Sequence, residues 1–112
     1  MGIKDFTEVL RNRSLEATRM TFTLSGAPSL IGATVKIMIK KFYGDQSRLT
    51  LEIGDGLTIL NQTATVLDFQ IDKQIITLLA FEYIYDVEIF FANGDKKTWL
   101  GGKFTVIDTV TT

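Results

Sequence analysis

The sequence predicts an all-β domain, a β-sandwich or a small barrel, on three observations. Apolar residues recur with a period of two over most of the chain, as strands with one buried face require. These runs are short and stand about 8 to 12 residues apart, with turn-forming residues between them. At 112 residues, 46% of them apolar, the chain can bury one hydrophobic core but not two, so a single domain over residues 1–112 is expected.

The first residues, Ile3 to Arg13, fit either a strand near Thr7 to Leu10 or a short helical turn using Phe6, Val9 and Leu10, and the strand is preferred. In Leu15 to Leu24, Met20, Phe22 and Leu24 fall on one side and Arg19, Thr21 and Thr23 on the other. Ser25 to Gly32 holds Gly26, Pro28 and Gly32 and reads as a loop. From Ala33 to Phe42, Val35, Ile37 and Ile39 alternate with Thr34, Lys36, Met38 and Lys40, so β-branched side chains point inward and the ammonium groups face water.

Arg48 to Ile53 sets Leu49, Leu51 and Ile53 on one face, and Gly54-Asp55-Gly56 then supplies a turn before Leu57 to Leu60. After Asn61-Gln62, Thr63 to Ile71 alternates again around Leu67, Phe69 and Ile71, and antiparallel pairing with the preceding strand is expected. Asp72 to Ala80 breaks the period. Asp72 can cap a helix, and Ile75, Ile76 and Leu79 can form one face of a short helical turn.

The last hairpin is the best-specified element. Tyr83, Tyr85, Val87, Ile89 and Phe91 alternate with Glu82, Ile84, Asp86, Glu88 and Phe90, and Asn93-Gly94 favours a two-residue type I′ turn. If Ala92 pairs with Asp95, Phe90 faces Lys97, Glu88 faces Trp99, Val87 faces Leu100, Tyr85 faces Gly102 and Tyr83 faces Phe104. Gly102 would then leave room for the Tyr85 ring. Lys103 to Ile107 completes the strand, and Asp108 to Thr112 reads as a tail.

The order of landmarks resembles the N-terminal immunoglobulin-like domain of phage baseplate upper proteins and its free-standing relatives in phage and prophage genomes. The resembling segments are Met20–Leu24, Leu30–Val35, the Gly54–Gly56 turn before Leu57–Ile59, Tyr85–Ile89, Asn93–Asp95 and Gly102–Val106, nearly the whole chain. The resemblance implies an immunoglobulin-like antiparallel sandwich of about seven strands with one short helical turn. It also implies an assembly role without catalytic residues, with other phage structural proteins as partners and the virion, assembled in the bacterial host cytoplasm, as location. The chain departs from the family at Leu79-Ala80-Phe81-Glu82, where a small residue and glycine are usual. Without the fibre-linked part of a baseplate protein, a head, neck or tail accessory protein fits equally.

Composition narrows the chemistry. There is no cysteine and no histidine, which removes thiol nucleophiles, histidine-based triads and nearly every zinc site; no cofactor and no small-molecule substrate are expected. A net charge of −1 gives no footprint for nucleic acid or an anionic membrane, and no apolar run approaches the roughly 20 residues of a membrane span. Met1 to Leu10, with Lys4, Asp5 and Glu8, is not a secretory signal, so the sequons at Asn12 and Asn61 are chance matches.

Strand alternation places Trp99, Phe90, Met38 and Ile84 on the outside, beside Glu88, and an exposed aromatic cluster with a charged rim marks a protein contact surface. Self-association into a homo-oligomer through that face is expected. The rival is a carbohydrate-binding adhesion module, in which Trp99 beside Glu88 would stack on a sugar ring. Asp86 and Glu88, about 7 Å apart on one strand, are read as solvated charges rather than a glycosidase pair. Asp45, Asp55 and Asp95 are read as turn residues rather than calcium ligands.

Overall fold

The computed structural model describes residues 5–24 and 28–108, with Leu100 described by its backbone alone. Gly26 of the loop, the first four residues and the tail from Thr109 lie outside this range. Ten strands follow in order: β1 (Phe6–Leu10), β2 (Ser14–Leu15), β3 (Thr18–Thr23), β4 (Thr34–Lys40), β5 (Leu49–Ile53), β6 (Gly56–Gln62), β7 (Val66–Ile71), β8 (Gln74–Ile75), β9 (Phe81–Phe90) and β10 (Lys96–Ile107). The fold is all-β. Eight strands form one curled sheet in the order β1-β10-β9-β4-β5-β6-β7-β3, while β2 and β8 pair separately.

The sheet is mixed rather than antiparallel throughout, with β1 parallel to β10 and β5 parallel to β6, and it curls into a sandwich-like form. Strands β10, β9 and β4 form one layer, extended by β5, and β3, β7 and β6 form the other. β1 lies parallel on β10, with Phe6 opposite Phe104 and Leu10 opposite Ile107. The layers join at a single coil of backbone between β5 and β6. There the Glu52 N–H donates to the Asp55 carbonyl (2.9 Å) and the Gly54 N–H to the Leu57 carbonyl (2.9 Å), so the two strands leave in the same direction. Gly54 and Gly56 both take positive φ, and a Cβ on Gly56 would come within 2.8 Å of Leu51 Cδ2, which explains the glycines on both sides of Asp55.

The alternation seen in the sequence sets the core. Met20, Phe22, Val35, Ile37, Ile39, Leu51, Leu57, Leu67, Phe69, Ile71, Tyr83, Tyr85, Val87 and Ile89 are all buried between the layers. Each such side chain contributes about 1.5–3 kcal/mol relative to exposure. The antiparallel β6–β7 pairing is as expected, apart from a bulge at Leu60, as is the strand at the N-terminal end. In β1 both Phe6 and Val9 face inward, a spacing of three that a bulge between them allows and that mimics helical periodicity.

The expected helical turn over Asp72 to Ala80 does not form. The Asp72 carboxylate instead accepts from Thr58 Oγ1 (2.8 Å) and Gln70 Nε2 (3.1 Å), tying β6 to β7. The β-branched Ile75-Ile76-Thr77 run stays extended. Gln74–Ile75 pairs with Ser14–Leu15, and the Asn12 N–H donates to the Ile76 carbonyl (2.7 Å). Ile76 alone of the three expected face residues is buried; Ile75 and Leu79 are exposed. β4 also ends at Lys40, short of Phe42, which is exposed.

Candidate contact surface

The β9–β10 hairpin decides which side chains face outward. The Phe91 N–H donates to the Asp95 carbonyl (2.8 Å) and the Gly94 N–H to the Phe91 carbonyl (3.0 Å). Gly94 has φ of 97°, while Asn93 does not take positive φ, so the loop is Ala92-Asn93-Gly94 rather than a two-residue type I′ turn. Pairing starts one residue out of the expected register, with Lys96 opposite Phe90, Thr98 opposite Glu88, Trp99 opposite Val87 and Leu100 opposite Asp86. A bulge at Gly101 then absorbs the offset, and Gly102 meets Tyr85 and Phe104 meets Tyr83 as expected.

The offset corrects the expectation for Trp99, which turns to the inner face. Its ring lies 5.2 Å from that of Phe22 on the opposite layer, half-buried against the core. The glycine that accommodates Tyr85 is therefore Gly101 rather than Gly102: a Cβ there would lie 2.0 Å from Tyr85 Cε2.

The other named residues do share the outer face of β4, β9 and β10. Met38 lies opposite Asp86, Lys36 opposite Glu88, Lys40 opposite Ile84 and Thr34 opposite Phe90. Lysines cover this face. Lys40 Nζ reaches Asp86 (3.0 Å), Lys96 Nζ reaches Glu88 (3.3 Å) and Lys36 Nζ reaches Glu52 (3.2 Å). Lys36 and Lys96 also lie over the Phe90 ring, at 5.5 and 6.0 Å. Asp86 and Glu88 are each only 8% exposed, because the aliphatic stems of these lysines close over them; they are buried paired carboxylates rather than solvated charges. Met38, Ile84 and Phe90 are half-buried beneath the same cover. A shallow cavity of about 230 Å³ beside Phe90 is lined by Thr34, Val35, Lys36, Glu52 and Ile53. The charged groups of its lining, Lys36 and Glu52, are joined to each other.

Several exposed apolar side chains lie elsewhere, towards the end of the sandwich where β1, β4 and β10 finish and β9 begins. Phe42 (59% exposed), Tyr43 (66%), Leu79 (63%), Phe81 (44%), Leu10 and Ile107 belong to it. The pairings set Phe81 beside Val106 and Val9 on the inner side of this end, and Leu10 beside Ile107 on the outer side. Lys41 Nζ, immediately before Phe42, sits 5.0 Å from the Phe81 ring centre. The phenol of Tyr83 donates to the Leu79 carbonyl (2.7 Å), and burial pushes its pKa up.

Asp45 shapes the loop that presents Phe42 and Tyr43. Its carboxylate accepts from the Lys41 N–H (3.2 Å) and from Arg48 Nε (3.0 Å), and the bond from the Arg48 guanidinium holds its pKa below the ordinary carboxylate range. No letter pattern marked this end, because its members come from four separate strand ends and only the pairing joins them.

Among the described residues no group of three or more carboxylates could hold a metal ion, and no helix is long and apolar enough to cross a membrane. Comparison with protein-family models, with curated proteins and with solved structures found no match to this chain.

Proposed function

We propose that this chain is a non-enzymatic structural or interaction module of a tailed-phage or prophage particle, a baseplate, tail or head accessory part that holds other particle proteins. The observation that carries the contact role is the apolar end formed by Phe42, Tyr43, Leu79 and Phe81, with Leu10 and Ile107 beside it. Large aromatics left uncovered at one end of a rigid sandwich, next to ordered cations such as Arg48, have the composition of a protein contact. The half-covered strip of Ile84, Met38 and Phe90 leads away from that end along the outer face. The resemblance in strand and turn landmarks supplies the particle context, and the all-β, sandwich-like fold is of the class that the resemblance implies. The carbohydrate reading loses its platform, since the Trp99 ring packs against Phe22.

The test is the protein content of tailed particles released by the host that encodes the chain. The wild-type chain should be found in purified particles, and the double variant Y43S/F81S, folded by circular dichroism, should be depleted from them. Absence of the wild-type chain from the particles would overturn the particle role. Full incorporation of the double variant would move the contact away from the apolar end.

A further inference from the structure

The curled sheet has two edges, and they are built differently. β1 is guarded: a bulge interrupts it between Phe6 and Val9, and exposed Glu8 sits in the bulge. β3 carries none of these devices. Its pairing with β7 runs unbroken from Thr18 opposite Ile71 to Thr23 opposite Val66, without bulge, proline or lysine. Its one charged residue, Arg19, is drawn back towards β7, where the guanidinium grips Asp68 through Nε (2.9 and 3.0 Å) and NH2, with Thr21 Oγ1 on the same carboxylate (3.2 Å). In the four-strand layer of an immunoglobulin constant domain the first strand covers this edge. Here β1 lies on β10 instead, and among the described residues nothing pairs with the outer side of β3.

The unused backbone groups can be named. The Leu24 N–H donates to the Thr65 carbonyl (2.8 Å), so alternation directs the N–H and C=O groups of Phe22 and Met20 to β7 and those of Arg19, Thr21 and Thr23 outward. We propose that this edge takes a second copy of the same strand, antiparallel about a two-fold axis through Thr21, continuing the sheet from one chain into the next.

That register places Thr21 opposite its symmetry mate and Arg19 opposite Thr23 of the other copy, each pair exchanging both of its backbone hydrogen bonds. A shift of the axis by one residue to either side would leave one of the three outward residues without a partner. The inner face sets Met20 against Phe22 of the other copy, apolar on apolar, and the outer face pairs Thr21 with Thr21 and Arg19 with Thr23. No like charges meet, because Arg19 is already neutralised by Asp68 within its own chain. An isologous contact of this kind closes on itself and stops at a dimer.

Three proteins test this: the wild type, Thr21→Pro, and Thr21→Cys in a chain that has no other cysteine. In sedimentation velocity over a concentration series, the wild type should form a dimer that dissociates on dilution. Thr21→Pro removes an N–H that faces away from β7, so its thermal unfolding should persist while association weakens at least tenfold. Under mild oxidation Thr21→Cys should give a covalent dimer, since Cα atoms of such a pair lie about 5.5 Å apart, and Lys97→Cys should not. If Thr21→Pro fails to fold, Thr21→Lys places like charges across the axis and should dissociate the dimer in the same way. A wild type that stays monomeric, a dimer that survives both Thr21 variants, or a Thr21→Cys chain that cross-links no faster than Lys97→Cys would overturn the proposal. Phe81→Ser separates it from the apolar end: it should leave the dimer intact, and a dimer lost there would overturn pairing through β3.

Discussion

The last strand consists of two segments that obey the same rule with opposite results. From Gly102 to Ile107, alternation read from the letters gives the true faces, with Phe104 and Val106 buried. From Lys96 to Trp99 the faces are the reverse of those expected, with Thr98 opposite Glu88 and Trp99 opposite Val87, pointing inward. The bulged residue between the two is Gly101. Period-two patterning therefore fixes relative facing within a segment and says nothing across a bulge, where a single inserted residue inverts every assignment beyond it.

The comparison can be broken most sharply at the bulge itself. Gly101→Ala drives a Cβ into the ring of Tyr85, which is almost fully buried, and should cost about 3 kcal/mol, at the upper end for overpacking, in urea unfolding. Trp99→Ala comes next, at about 2 kcal/mol, below the usual loss for a fully buried aromatic because the ring is half-exposed. A change within about 0.5 kcal/mol would instead return Trp99 to the outer face. Gly102→Ala, whose φ of 147° an alanine adopts poorly, should cost about 1 kcal/mol.

At the turn, Gly94→Ala should cost about 1 kcal/mol for its positive φ, and Asn93→Ala about half of that. Equal and large losses at both positions would restore the type I′ turn and with it the original register. Glu88→Gln is smaller still, a few tenths of a kcal/mol, since Lys96 is largely exposed and Thr98 Oγ1 (3.3 Å) can keep its bond.

Acid should act on the Asp45–Arg48 pair in the β4–β5 loop and on the Arg19–Asp68 pair in the other layer. The bond from Arg19 holds the Asp68 pKa below its ordinary 3.8, so the stability it contributes is present above that value and is lost as pH falls through the lower folded value. The acid limb of a stability-against-pH curve should therefore flatten in Asp68→Asn, while the near-ultraviolet signal of Trp99 stays native until the global transition.

The sequence carried the core almost completely, because period two is a direct readout of burial for strands such as β4 and β7, where Val35, Ile37, Ile39, Leu67, Phe69 and Ile71 all went inward. Where it misled, another pattern imitated the signal. The Asp72 and Ile75-Ile76-Leu79 spacing looked helical, but the β-branched run stayed extended and Asp72 turned to Thr58 and Gln70. Asn93-Gly94 pointed to a two-residue turn, yet one positive φ sufficed once the loop began at Ala92. The apolar end was not legible, because Phe42, the Leu79–Phe81 segment and Ile107 are far apart in the chain and only the strand order brings their segments to one end. The burial of Asp86 and Glu88 was hidden for a related reason: it depends on lysine stems from neighbouring strands.

The parallel contact between β1 and β10 has a mechanical consequence. The chain enters β1 at Phe6, beside Phe104, and leaves β10 at Ile107, beside Leu10, so a pull on the two ends acts along the strands in opposite directions. Such a load shears the backbone bonds of this pair, the Lys103 N–H to Asp5 bond (2.9 Å) and the Arg11 to Asp108 ion pair (3.4 Å) together, where an antiparallel pair pulled from one side would unzip bond by bond. The first and last strands thus act as a clasp under tension, and forced unfolding should begin only when that clasp slides as a whole.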